Sequence, residues 1–277
     1  MKKIILPALL ASAVIAGCST SPTGRSQLMV ISPKTAIVES EKAYVATVTE
    51  LENNQQLITD KAWTERIATI TGRLVSVANE RYPDSANWKW SVAIINDPNT
   101  LNAWCMAGGR MAIYSGIVEQ LNLTDDEIAQ IMGHEISHAL ANHTAERMSR
   151  AMVMNTGLSM ASQAIGGNEM ALNGAALAAQ VALELPNSRT GESEADRLGI
   201  ELATRAGYTP KAAVSLWEKM QKAGGSGTPA FLSTHPSSKD RAKTLGSLET
   251  SMLALNPELT KANMTPVLIV TSAKALN

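Results

Sequence analysis

The stretch 124–138, TDDEIAQIMGHEISH, decides how the rest of the chain is interpreted. It ends in the pattern HEISH (134–138), and residues four apart on a helix lie on the same face, one turn from each other. Two imidazoles placed in this way can each direct one nitrogen at a single metal ion, and zinc accepts such ligands. Glu135 sits beside the first imidazole, where it can take a proton from a water held by the metal. The pattern therefore predicts a zinc site with an adjacent general base.

The residues around this pattern predict the helix that such chemistry requires. Thr124 and Glu127 have the spacing of a capping box, with Thr124 as the N-cap. Apolar residues then recur at helical intervals, at Ile128, Ile131, Met132, Ile136 and Ala139. We therefore expect His134 and His138 to ligate zinc from one helix. His143, five residues further on, lies off their shared face, and we interpret it as structural or as a favourable charge near the helix end.

A second acidic stretch, SRTGESEADR (188–197), can supply the third ligand. It predicts a helix that runs to Arg205 and ends at a glycine. Glu192 and Asp196 are four apart on one face, so a carboxylate can complete a tetrahedral site and Asp196 can accept the outward N–H of a ligand histidine. Glu194 lies on the other side of this helix and is expected to be solvated. From spacing alone, the third ligand is Glu192, Glu194 or an acid elsewhere.

A small antiparallel sheet is predicted ahead of the metal helix. Residues 88–95 alternate in the manner of a strand, and the Gly108-Gly109 pair between two strand-like runs predicts a hairpin turn. An edge strand near the metal can hold an extended substrate by backbone pairing, or the sheet can simply pack against the helix. The expected fold class is α+β, mostly helical, with this sheet packed on a zinc-binding helix bundle.

The beginning of the chain predicts its compartment. Residues 1–17 combine two lysines with an apolar run too short to span a bilayer permanently, which is typical of a secretory signal peptide. The run ends in IAGC, which resembles a bacterial lipobox with Cys18 as the lipidated residue, and Ser19 resembles a signal for sorting to the outer membrane. The alternative is an ordinary signal peptide with an incidental cysteine. Residues 18–31 are expected to form a tether, and 32–277 a single domain.

Composition excludes some classes of function. Lysine plus arginine against aspartate plus glutamate gives 24 − 25 = −1, and loss of the two signal-peptide lysines makes it −3. With no basic cluster and few aromatic residues, we expect no nucleic-acid partner. Without Cys18, Cys105 is the one remaining thiol, so no intramolecular disulfide is available, and we interpret Cys105 as a buried residue.

Residues 151–168 carry no formal charge, but their polar residues and glycines argue against a membrane span. We instead predict one or two helices, the second over 169–184, that cover the metal face. Their methionines line a substrate groove or belong to the core.

The two motifs together resemble a known family. HEISH followed by SRTGESEAD is similar to the zinc metallopeptidase family of the CAAX prenyl proteases, HtpX, OMA1, BepA and LoiP. The resemblance implies a gluzincin-like site with one zinc ion per chain on His134, His138 and Glu192. It also implies that Glu135 is the general base and that Asp196 lies beside the ligands, where it is sometimes assigned as a proton donor.

This similarity extends over residues 102–241. It includes a Thr-His-Pro sequence at 234–236, and in the soluble members of the family this histidine lies near the zinc, where it stabilises an oxyanion or blocks the metal. His235 is therefore a further candidate site residue; the alternative is a histidine that only bonds its own loop. The lipobox makes the periplasmic lipoprotein branch the closer resemblance.

The predicted function is a zinc metalloendopeptidase in the periplasm, lipid-anchored at Cys18, with the outer membrane as its expected location. By analogy with the family, its substrates are unfolded or misassembled envelope proteins, and the outer-membrane assembly machinery is a candidate partner. A lipoprotein chaperone or assembly factor with little proteolytic turnover is the alternative. A third hypothesis is that the zinc ion is purely structural.

Overall fold

The computed structural model describes residues 18–164, 185–223, 230–235 and 240–276. These residues form a mostly helical α+β fold, as predicted, with one four-stranded sheet and a separate two-stranded hairpin at the start. The α-helices are α1 (Pro33–Asn53), α2 (Lys61–Arg81), α3 (Ser115–Gln120), α4 (Asp125–Leu140), α5 (His143–Ala164), α6 (Leu185–Arg205), α7 (Lys211–Ala223), α8 (Ala230–Thr234) and α9 (Arg241–Leu253). The strands are β1 (Cys18–Thr20), β2 (Ser26–Leu28), β3 (Ser91–Ile95), β4 (Ala103–Met106), β5 (Arg110–Tyr114) and β6 (Leu268–Val270).

Side-chain caps fix the beginnings of the scaffold helices. The Ser32 hydroxyl accepts a hydrogen bond from the third residue of α1, and the Asp60 carboxylate does the same for α2. At α4 both halves of the predicted capping box are present, between Thr124 and Glu127. The HEISH stretch thus lies within a helix whose start is held by its own sequence.

The sheet is mixed, so the prediction of an antiparallel sheet is wrong for two of its three strand pairs. The strand order is β4-β5-β3-β6, and only β4 and β5 are antiparallel. Gly108 and Gly109 turn this hairpin with φ angles of 82° and 81°, which favour glycine. After β3 the chain continues to β4, which lies two positions away in the sheet, and β5 then occupies the position between them. β5 therefore runs parallel to β3. On the other side of β3, β6 also pairs in parallel.

The sheet is buried on both faces. Every residue of β3 is buried, although the alternating sequence pattern is compatible with one solvated face. Val92 and Ile94 pack into the main core with residues of α2 and α4, while Ala93 and Ile95 pack with Tyr44 of α1. The metal helix therefore lies on one side of the sheet and α1 on the other.

Two glycines allow α4 and α6 to approach each other at backbone distance. A Cβ atom added at Gly199 of α6 would lie 2.8 Å from both the backbone N and the Cα of His134. One added at Gly133 of α4 would lie 2.9 Å from the Gly199 carbonyl oxygen. Because no side chain separates the helices here, acidic residues of α6 can reach the histidines of α4.

The segment expected to be a tether is instead part of the fold. β1 and β2 pair antiparallel, with Cys18 opposite Leu28. Ser21 and Gln27 are buried, and the Gln27 amide donates to the Ala141 carbonyl at 2.8 Å. Polar groups of the segment find partners on the body, which is why its Ser/Thr/Gly-rich composition does not leave it free. Lipidation of Cys18 stays a prediction.

The predicted helix after residue 151 is present as the second part of α5. Its apolar residues Met152, Val153 and Met160 are exposed by 43% to 49%, so this part does not pack its methionines into the core. The predicted second helix over 169–184 lies outside the described residues. Among the helices that the structure describes, none is long and apolar enough to cross a membrane.

Candidate metal centre and catalytic site

Four side chains converge at the crossing of α4 and α6. His134 and His138 come from α4, Glu192 from α6, and His235 from the residue that follows α8. Each offers one ligand atom, and these atoms all lie within 4.8 Å of one another. All four side chains are buried. The structure thus brings together the three predicted ligands and the predicted additional histidine.

The spacing of these donors fits a tetrahedral ion. With zinc–ligand bonds of about 2.0–2.1 Å, two ligand atoms at tetrahedral corners lie about 3.3 Å apart. The Nε2 atoms of His134 and His138 are 3.1 Å apart, and they lie 3.3 Å and 3.4 Å from the oxygens of Glu192. Nδ1 of His235 lies 3.3 Å from Nε2 of His134 and 3.2 Å from both Glu192 oxygens. The donor set of nitrogens and a carboxylate is one that zinc prefers.

The outward nitrogen of His134 has a carboxylate partner, at the position predicted for Asp196. Nδ1 of His134 lies 3.1 Å from Oδ1 of Asp196, which leaves Nε2 directed at the cluster. Glu194, by contrast, is buried and does not reach the cluster, so the expectation that it is solvated is wrong.

Glu135 lies beside the cluster with one oxygen unsatisfied. It is 2% exposed, and within the described part of the chain its Oε1 accepts no hydrogen bond. Nε2 of His235 lies 3.4 Å from this oxygen. Burial raises the pKa of this carboxyl above its ordinary value. A buried oxygen without a donor, next to a set of metal ligands, fits a group that handles a proton there.

The acids and imidazoles of the cluster shift one another's pKa in the metal-free protein. Burial and the Arg241 guanidinium lower the pKa of His134, but its hydrogen bonds to Asp196 and Glu192 outweigh them and raise it to about 9. Burial and the neighbouring His134 lower the pKa of His138 well below its usual range. Burial alone would raise the pKa of Glu192, yet hydrogen bonds from the histidines hold it far below. Glu192 and His138 are therefore in the forms that bind a metal, a negative carboxylate and a neutral imidazole, whereas His134 has to lose a proton when a metal binds.

Cys105 is buried next to this site, as predicted for a structural thiol. Burial, together with the charge of Glu135, raises the pKa of its thiol well above the ordinary value. The thiol therefore stays protonated. Because the thiolate is the reactive form of cysteine, Cys105 is expected to be unreactive.

β4 is an end strand of the sheet and lies beside α4. The Asn102 carbonyl accepts from the Tyr114 N–H at 3.1 Å, so by antiparallel alternation the backbone groups of Trp104 also face β5. Those of Ala103 and Cys105 then face the outer edge, where none of the described strands pairs with them. This edge ends at the Leu101 carbonyl, which accepts from an N–H of α8 at 3.0 Å.

Arg241 is a site residue that the sequence analysis did not identify. It is buried, hydrogen-bonds Asp196, and places guanidinium nitrogens 3.1 Å from Nδ1 of His134 and 3.4 Å from Glu192. Its guanidinium carbon lies 3.7 Å from the centroid of the Trp217 ring. One signal was available: an arginine at the first position of a helix is disfavoured by the helix dipole, which suggests a compensating partner.

His143 lies off the face shared by His134 and His138, as predicted, but it still contacts the site. It begins α5, after a turn at Asn142 with φ of 55°, and the turn brings its ring back against His138. Its Nδ1 lies 2.7 Å from Nδ1 of His138, and its Nε2 lies 3.1 Å from Glu194. Helical spacing could not reveal this contact because the two histidines belong to different helices.

Known proteins share these sequence features. The chain matches the model described as peptidase family M48 over residues 62–249. It is 35% identical to mitochondrial metalloendopeptidase OMA1 of Arabidopsis thaliana over 156 residues, 56% of this chain and 31% of that protein. It is 28% identical to a putative beta-barrel assembly-enhancing protease of Vibrio cholerae over 224 residues, 76% of this chain and 44% of that protein. Against metalloprotease YcaL of Escherichia coli it is 28% identical over 144 residues, 52% and 56%. The chain spans about a third to about half of the length of most of these relatives.

Proposed function

The chain belongs to peptidase family M48, and on that premise we propose that it is a zinc-dependent endopeptidase. One observation carries this proposal: His134, His138 and Glu192 form a buried donor set at tetrahedral spacing, with Glu135 beside it. Zinc held by these residues would polarise the carbonyl of a peptide bond and bring the pKa of water down to about 7.

Glu135 is the general base of the proposed reaction. Its Oε1 accepts the proton of the attacking water, because that oxygen lies beside the cluster and is not occupied by another donor in the described residues. The raised pKa of the carboxyl lets it hold this proton and then deliver it to the leaving nitrogen. Asp196 keeps His134 in the orientation that directs Nε2 at the cluster.

The outer edge of β4 is the proposed binding site for an extended substrate. The backbone groups of Ala103 and Cys105 face that edge, and β4 lies against the helix that carries Glu135. A peptide paired there would be held by main-chain hydrogen bonds, with little dependence on its sequence. This mode of binding suits unfolded chains of varied composition.

His235 is proposed to close the site at rest. Its Nδ1 takes the fourth corner of the donor set, which a reacting water or carbonyl would otherwise occupy. Its ring stacks on Phe231 at 4.5 Å between centroids, which holds the histidine against α8. An oxyanion-stabilising role, the other expectation, would require His235 to stay near the cluster during the reaction.

The proposed substrates are unfolded or misassembled proteins of the bacterial envelope. The support is the lipobox-like IAGC sequence, together with the similarity to the putative beta-barrel assembly-enhancing protease of Vibrio cholerae. On the same grounds we propose a periplasmic position, anchored by lipid at Cys18 to the outer membrane, with its assembly machinery as a partner.

Casein cleavage by the purified full-length protein tests the peptidase. We expect the wild type to contain one zinc ion per chain and to cleave casein, a chelator to stop cleavage, and added zinc to restore it. His235→Ala is expected to cleave faster than the wild type, because the fourth corner is then open.

Two outcomes would contradict these proposals. A protein that binds zinc and cleaves nothing, even as His235→Ala, would favour the chaperone alternative. Slower cleavage by His235→Ala, with zinc still bound, would show that His235 assists the reaction.

Cys18→Ala is expected to release the protein from membranes. Lipid on this cysteine supplies the proposed anchor, and none of the described helices could replace it. Fractionation of cells that express the two forms measures the change, with Cys105→Ala as the matched control that stays in the membrane fraction. Continued sedimentation of Cys18→Ala with membranes would contradict lipidation as the anchor.

A further inference from the structure

A chain of hydrogen bonds leads outward from the metal ligand His138. Its Nδ1 lies 2.7 Å from Nδ1 of His143, and at this distance one imidazole must donate to the other. Nε2 of His138 is directed at the cluster, 3.4 Å from Glu192, and must carry a lone pair to act as a ligand. The proton of His138 is therefore on Nδ1, and His143 accepts it.

The same reasoning fixes the state of His143. Since its Nδ1 accepts, the proton of the neutral ring is on Nε2, which lies 3.1 Å from Oε2 of Glu194. Glu194 is the acceptor in this contact, because its two oxygens also accept from the Thr23 hydroxyl and from Nε of Arg25. Each bond in the series from ligand to carboxylate thus has one allowed direction.

Glu194 is in turn held by residues 21–28, which we name the N-terminal strap. Thr23 donates its hydroxyl to Oε1 of Glu194 at 2.6 Å, and Nε of Arg25 donates to Oε2 at 3.0 Å. The other two guanidinium nitrogens of Arg25 form a pair of bonds with Glu146, at 2.8 Å and 2.7 Å. Both carboxylates are buried. Arg25 therefore fixes Glu194 relative to α5, on which His143 lies.

We propose that His143 is a positioning residue for the metal ligand His138, and that the N-terminal strap holds it in place through Arg25 and Glu194. This inference rests on the proposed zinc site. No residue of the strap belongs to the donor set, yet loss of the strap contacts would loosen one of the three ligands. The strap is then a support of the metal centre, although it precedes the region matched by the family model.

Zinc affinity of the full-length protein, measured by competition with a fluorescent chelator, tests this proposal. His143→Ala is expected to weaken binding by about 10–100-fold, the usual effect of losing a partner of a metal-bound histidine. Arg25→Gln is expected to weaken it by a smaller factor, because it acts through Glu194. His143→Gln should recover part of the loss, since its amide can both accept from His138 and donate to Glu194.

Arg66→Gln is the matched control. Arg66 makes an ion pair with Asp125 on an exposed part of the molecule, and its loss is expected to leave zinc affinity unchanged. The absorption spectrum of the cobalt-substituted protein reports ligand geometry and provides a second readout. It should shift in His143→Ala and Arg25→Gln, shift less in His143→Gln, and stay unchanged in Arg66→Gln.

Wild-type zinc affinity and an unshifted cobalt spectrum in both Arg25→Gln and His143→Gln would overturn the proposal and leave the zinc peptidase intact. A wild type that binds no zinc would overturn both. If His143→Ala fails to fold, these two milder variants decide the outcome.

Discussion

Glu135→Gln is expected to lower casein cleavage by about 10²–10⁴-fold, the usual contribution of a positioned general base. The substitution keeps the size and shape of the side chain but removes the group that takes the proton. Because Glu135 is not a member of the donor set, zinc content should stay at the wild-type value. Initial rates of casein cleavage, together with metal analysis of the same samples, measure both quantities.

The matched control for this prediction is Glu39→Gln. Glu39 is an exposed glutamate of α1, where the same change of charge touches no part of the site. Full cleavage by Glu135→Gln would rule out the proposed mechanism. Loss of zinc together with cleavage would mean that Glu135 supports the metal, and its assignment as base would then need a different test.

Gly199→Ala is expected to lower the free energy of unfolding by about 1–3 kcal/mol or more, because overpacking a core usually costs this amount. The added methyl group would lie 2.8 Å from the backbone of His134, and a backbone cannot move aside as a flexible side chain can. Relief requires α4 and α6 to separate, which would draw Glu192 away from the two histidines. We therefore expect zinc affinity to fall together with stability.

Urea unfolding and chelator competition measure these two effects. Gly157→Ala is the matched control, because Gly157 lies in α5 and an added Cβ there meets no atom within 4 Å. Alanine should be neutral or stabilise this helix by up to about 1 kcal/mol. If Gly199→Ala were as stable as Gly157→Ala, the close approach of α4 and α6 would not be what holds the site together.

The part of the site that was predictable from the sequence is the part that follows from helix geometry. His134 and His138 share a face because they are four residues apart, and Glu192 and Asp196 share one for the same reason. The capping box at the start of α4 is equally local. Each of these expectations required only the sequence within one helix.

The remainder depends on how distant elements meet. Arg241 and His143 reach the site because α9 and α5 meet α4 there, and Glu194 of α6 contacts His143 for the same reason. No spacing within a single helix encodes such a meeting. The strand order also depends on contacts between distant parts of the chain, because β6 pairs within the sheet although it lies more than 150 residues after β5. Arg25 could not be assigned because its partners, Glu146 and Glu194, lie far along the chain.

With Cys18 lipidated as proposed, its pairing with Leu28 would set how far the protein can work from a bilayer. The predicted tether, a flexible segment of 14 residues, would let the folded domain move about 20 Å from its attachment point. In the observed fold Cys18 is itself a strand residue of the hairpin whose turn carries Arg25. With Cys18 lipidated as proposed, the body would rest on the headgroups in a restricted orientation. Its substrates would then have to come to the membrane surface. Their location would thus select them before their side chains contact the site.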